Sequence, residues 1–160
     1  MVLGVKKLRL IRTDADIKAA VKAWCGEWDY EFGGKGPVCK VRGDPVAAER
    51  EYGHISQWDT EQVTSMKDLF RFMIEFNEDI SRWRVHNVRD IGYMFQSARS
   101  FDQNLSQWEV GNVETMERMF YNARGFNQDL SGWDVRKVNN MNYMFYQVYS
   151  LKKRPWWYRG

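Results

Sequence analysis

Apolar and polar positions between residues 54 and 151 repeat with a period of 25 residues and no gaps. Trp58, Trp83, Trp108 and Trp133 mark one recurring slot. Each copy also carries an apolar series spaced i, i+3, i+4, i+7. The series are Met66, Leu69, Phe70, Met73; Ile91, Met94, Phe95, Ala98; Met116, Met119, Phe120, Ala123; and Met141, Met144, Phe145, Val148. Such spacing falls on one helix face, so it predicts a helix of about two turns per copy with that face inward. Ser65, Asp90, Thr115 and Asn140 stand just before the four series. All four offer a short oxygen-bearing side chain for the orphan N–H groups of a helix start. Gly125 suits a left-handed helix exit in the third copy.

The first part of each copy has a different pattern. Alternation through Trp133-Asp134-Val135 predicts a short strand with Trp and Val inward and Asp outward. One strand and one short helix per copy set the expected fold class, an α/β repeat. It would be a short leucine-rich-repeat-like solenoid of four 25-residue strand-plus-short-helix coils with a helical N-terminal cap. One copy buries too little to order itself, so the copies are expected to stack.

The organisation that follows is residues 1–53 as a helical cap with a Gly-rich insert, 54–151 as four repeats, and 152–160 as a C-terminal half-coil cap. Thr13 or Asp14 starts a helix through DIKAAVKAW, and Asp44-Pro45 starts a second, PVAAEREY, closed by Gly53. Between them GEWDYEFGGKGPVCKVRG reads as a loop or hairpin. Twenty-five residues beyond Trp133 stands Tyr158, with Pro155 in the Leu slot. Proline cannot donate to a ladder, so this tail is expected to end the array.

Composition narrows the function. A chain of 160 residues, 44% hydrophobic and 16% aromatic, suffices for one domain with a sizeable core. Its 24 Lys and Arg against 21 Asp and Glu leave +3, too little to imply a polyanionic partner from bulk charge. No apolar run approaches the roughly 20 residues that cross a bilayer. Lys6, Lys7, Arg9 and Arg12 break the apolar stretch that a secretory signal would need. Cys25 and Cys39 are not spaced as zinc ligands; they either close the insert as a disulfide or stay reduced. His54 and His86 belong to no catalytic motif, and the chain is expected to be no enzyme and to need no cofactor or metal.

The cassette FNQDLSGWDVRKVNNMNYMFYQ at residues 126–147 closely resembles the repeat of BspA-like surface proteins, including the mycoplasma lipoprotein-type repeat of unknown function. The resemblance covers residues 54–151. It implies adhesion or protein–protein contact, usually from a cell surface, with no catalytic residues to carry over. The expected function is therefore a non-enzymatic protein-interaction or structural module, with a small subunit of a larger assembly as one form of it. A cell-surface adhesin fragment and a single-stranded nucleic-acid binder are the alternatives.

Two groups of residues are candidates for that contact. Outward strand positions differ from copy to copy, and they include Asp59, Arg82, Arg84, His86, Glu109, Asp134 and Arg136. This face either encodes a partner or is a solvated surface with cross-strand ion pairs. The tail mixes Arg154 with Trp156, Trp157 and Tyr158, a blend that grips proteins or single strands, or else plugs the last coil. One tryptophan is assigned to the plug and the other to a partner. The recurring Trp slot is core rather than a stacking platform. Residues 77–79, 102–104 and 127–129 read as turns rather than a cation site.

Overall fold

The computed structural model describes residue 11 and residues 13–30 and 37–159. Helix α1 runs Asp14–Cys25, opened by Thr13, whose hydroxyl accepts from the Asp16 N–H at 3.1 Å. It ends at Gly26, whose φ of 88° only glycine adopts readily. A two-stranded antiparallel hairpin follows, β1 Gly26–Tyr30 against β2 Pro37–Arg42, bulged between Glu27 and Trp28. Helix α2, Pro45–Tyr52, starts on the Asp44 carboxylate, which accepts from the Ala47 N–H at 2.9 Å. Ile17, Ala20, Val21 and Trp24 of α1 join Ala48 and Tyr52 of α2 in the core, beside Ile55 and Trp58. The expectations that rest on Lys6, Lys7, Arg9 and Arg12, and the pairing of Cys25 with Cys39, lie outside the described residues.

After α2, apart from a single 3-10 turn at Ile55–Gln57, the described residues form no further helix and no further strand. The expected α/β solenoid of strand-plus-helix coils is therefore overturned. Where a helix was predicted, each repeat makes overlapping tight turns instead. The N–H groups of Leu69, Arg71 and Met73 donate to the carbonyls of Met66, Asp68 and Phe70. Asp68 and Phe72, at φ 63° and 66°, take the left-handed third place that type II turns require, and Tyr93, Ser97, Arg118, Asn122, Tyr143 and Gln147 repeat this. Two four-residue turns in series place apolar side chains at i, i+3, i+4 and i+7, as a helix does. The pattern is degenerate, and the expectation fell on the wrong member.

The left-handed residues have a purpose in the packing. Each non-glycine residue so placed costs about 1 kcal/mol, and its N–H then points at the next repeat. Met66, Asp68, Phe70 and Phe72 donate to the carbonyls of Asp90, Gly92, Met94 and Gln96. Ile91, Tyr93, Phe95 and Ser97 donate in turn to Thr115, Glu117, Met119 and Tyr121, and the third repeat donates likewise to Asn140, Asn142, Met144 and Tyr146. At roughly 1 kcal/mol net per bond, the ladder offsets the strain. Isolated parallel bridges join Ser65, Asp90, Thr115 and Asn140. Their expected capping chemistry survives in another setting: each side chain accepts from the N–H two residues on, in Lys67, Gly92, Glu117 and Asn142.

Aromatic columns fill the interior. Phe70, Phe95, Phe120 and Phe145 stack at 5.5–5.7 Å, and Phe76, Phe101 and Phe126 form a second column at 5.8–6.1 Å. The four tryptophans are buried as expected. The indole N–H of Trp83, Trp108 and Trp133 donates to a carbonyl of the preceding repeat, Ile55, Ile80 or Leu105. The side chains of Asn77, Asp102 and Asn127 accept from the N–H groups of Asp102, Asn127 and Lys152, so these polar groups, expected in turns, stitch one repeat to the next. Gly125 is not left-handed. Its N–H meets the Arg99 carbonyl at 2.9 Å, and a Cβ there would lie 2.7 Å from that oxygen. It serves a close approach, not a helix exit.

Candidate functional site

The outward candidates lie on the segments that follow each tryptophan, and no strand carries them. Asp59, Arg82, Arg84, Glu109, Asp134 and Arg136 are exposed, and His86 is half-buried. Arg84 pairs across repeats with Glu61 at 2.7 Å, and His86 lies 3.9 Å from the same carboxylate. Arg136 instead folds back onto Asp134 at 2.7 Å, and this hydrogen bond holds the Asp134 carboxyl down at about 2. Glu109 stands between shallow clefts of about 590 and 280 Å³, both of which His86 also lines. Asn112 fixes the floor by donating to the His86 carbonyl at 2.7 Å while accepting from Lys137 at 2.6 Å. Such solvated pairs are worth 0–1 kcal/mol each. The structure thus brings His86, Glu109, Asp134 and Arg136 together on the larger cleft and Arg82, Arg84, His86 and Glu109 on the smaller one, and it leaves Asp59 apart from both.

The tail divides. Trp157 is buried, its ring stacked on Trp133 at 6.3 Å and its N–H donated to the Leu130 carbonyl at 3.0 Å. It occupies the recurring slot one residue before the position that the period assigns, and it cannot serve as a partner contact. The backbone keeps the period, since the Tyr158 N–H donates to Pro155 as that of Trp133 does to Leu130. Tyr158 packs edge-on against Phe145 at 5.0 Å, with the Arg154 guanidinium 5.8 Å over its ring. Trp156 is 78% exposed.

A third group went unread in the sequence. Tyr143, Tyr146 and Tyr149 of the last repeat are all exposed, and Tyr143 and Tyr146 meet edge to face at 6.1 Å. They end a column of alternating aromatic and cationic groups. The Arg118 guanidinium lies between Tyr93 and Tyr143, at 5.7 and 5.3 Å, and Arg71 lies 5.2 Å from Tyr93. The Tyr93 hydroxyl donates to Glu117 at 2.6 Å; that bond, with burial, pushes its pKa up. Between this patch and the tail opens a cleft of about 570 Å³, with Met141, Tyr143, Tyr146, Tyr158 and Arg159 on its walls. The signal was the run YMFYQVYS, which puts tyrosine where the inner repeats carry mostly charged or amide residues.

A family model described as Mycoplasma protein of unknown function, DUF285, matches residues 46–157. The match takes in α2 and reaches Trp157, wider at both ends than the repeats alone. No curated protein and no solved structure matches the chain.

Proposed function

The chain belongs to that Mycoplasma family of unknown function, and on this premise we propose that it is a non-enzymatic protein-interaction module that binds through the C-terminal end of its repeat array. One observation carries the reading. Of the five large hydrophobic side chains that stand exposed among the described residues, four are Tyr143, Tyr146, Tyr149 and Trp156, gathered at this end. Clustered exposed aromatics mark contact surfaces, and Tyr, Trp and Arg supply a disproportionate share of interface energy. The outward face carrying Arg84 and Glu109 is a secondary surface, because its charges are largely satisfied within the chain. Single-stranded nucleic-acid binding by the tail has lost one of its two tryptophans to the core.

The test is capture of partners with crosslinking from the native source. The triple variant Tyr143→Ala, Tyr146→Ala, Tyr149→Ala is expected to stay within about 0.5 kcal/mol of wild-type stability and to lose capture by at least about tenfold. Unchanged capture would sink the reading. The surface-adhesin version implied by the BspA-like resemblance adds that those partners are extracellular, which fractionation of the host cell decides.

A further inference from the structure

We propose that the open edge of the last repeat is a main-chain docking site for an acidic segment of a partner protein. The proposal rests on the interaction reading and names the chemistry of the partner. In the three inner interfaces, alternate N–H groups of one repeat donate to alternate carbonyls of the next. In the last repeat the corresponding donors are Met141, Tyr143, Phe145 and Gln147, and among the described residues no carbonyl accepts from them. Tyr143 and Gln147 nevertheless keep φ of 56° and 58°. The strain that the ladder offsets elsewhere persists here with no ladder, so the edge is held ready for a carbonyl-bearing chain.

The tail explains why the edge stays open. Trp157 covers the tryptophan half of the last repeat, and Tyr158 covers part of Phe145. The tyrosine half remains uncovered and forms one wall of the 570 Å³ cleft. An added segment would align its carbonyls with the four donors and pack its side chains on Tyr143 and Tyr146, the logic by which peptides extend a sheet edge.

Charge selects the occupant. From residue 135 to 160 there is no Asp or Glu, against six Lys or Arg, while the chain as a whole carries only +3. The residues before 135 are therefore net acidic, and the cationic excess is confined to this end. A second copy stacking end to end fits poorly. The opposite end is closed by α1, and its cleft of about 350 Å³ presents Lys18, Lys22, Lys67 and Arg71 against Glu27 and Asp68, which pair with Lys22 and Arg71, so its lining is still net cationic. Like charge would meet like charge, whereas carboxylates on a foreign segment would meet Arg159 and its neighbours.

The probe is a terminally blocked octapeptide alternating Glu with Val, added to the full chain and followed by residue-resolved amide exchange. At saturation, exchange at Tyr143, Phe145 and Gln147 is expected to slow by at least about tenfold, while the inner Phe95 amide is unaffected. Arg159→Glu, at an exposed position, is expected to weaken binding by about tenfold, and added salt to weaken it further. Binding without protection of those amides, or equal protection by a control of the same length with Lys in place of each Glu, overturns the proposal. Protection by an oligothymidylate instead of the peptide overturns it in favour of nucleic acid, and protection on self-association without peptide overturns it in favour of a second copy. If the peptide fails but the triple tyrosine variant still loses its partner, the interaction module stands without this docking mode; if that variant captures as well as wild type, the module reading itself falls.

Discussion

Asp14 opens α1 and also closes the first repeat. Its carboxylate accepts from the Thr64 and Ser65 N–H groups at 2.7 and 3.0 Å, and from the Thr64 hydroxyl at 2.9 Å. In the inner repeats the equivalent N–H groups of Arg89 and Glu114 find carbonyls of the preceding repeat. Partial burial raises the Asp14 carboxyl, the bonds to Ser65 and Thr64 lower it, and the result lies below the ordinary value of 3.8. A carboxyl lowered on folding stabilises at pH above its unfolded value, and that contribution fades as pH falls through the folded value. Asp14→Ala is expected to cost about 2 kcal/mol near neutral pH by urea unfolding. The gap to wild type should close as pH drops below about 4. A gap that stays constant with pH would mean that Asp14 acts only as a helix residue.

The elements of the repeats are turns, and this has a spectroscopic consequence. The 12 residues of α1 and the 8 of α2 are the only α-helix among the described residues. Far-UV circular dichroism should therefore show a helical signal near one-eighth of the chain, overlaid by strong aromatic bands from the Trp and Phe columns. A strand-plus-helix repeat would add about two helical turns in each of four copies. A 222 nm signal two to three times larger would contradict the turn assignment. The contrast with α1 is instructive, because Ile17, Ala20, Val21 and Trp24 have the same spacing as Met66, Leu69, Phe70 and Met73. Only the first set became a helix.

For the whole molecule, the two ends are closed by different means. At one, α1 and α2 pack on Trp58 through Trp24 and Tyr52, whose rings lie 6.0 and 6.1 Å away. At the other a single side chain, Trp157, covers Trp133. Trp157→Ala is expected to cost about 3 kcal/mol or more, whereas Trp156→Ala, one residue away and solvated, should change stability by less than about 0.5 kcal/mol. Thermal melts of the two variants check this, and equal effects would mean that the tail does not seal the array. Because each repeat contacts its neighbours, loosening the last one should spread inward and lower cooperativity.

Residue type and spacing along the chain settle the period, the buried Trp and Phe-bearing slots, the start of both helices at Thr13 and Asp44, and the local bonds by which Asp79, Asn104 and Asp129 accept from the N–H groups of Ser81, Ser106 and Ser131. Each of these is written in residue type and local spacing. The sequence also placed Arg84, Glu109 and one tail tryptophan at the surface, but it could not see that Arg136 would fold back on Asp134, that Trp157 rather than Tyr158 would take the last slot, or that Tyr143, Tyr146 and Tyr149 would be left uncovered. Those outcomes depend on what lies across a repeat interface. The same holds for the choice between helix and paired turns: both put the same residues inward. The turns prevail because their outward N–H groups reach carbonyls 24 residues away, bonds that exist only once the neighbouring repeat is in place.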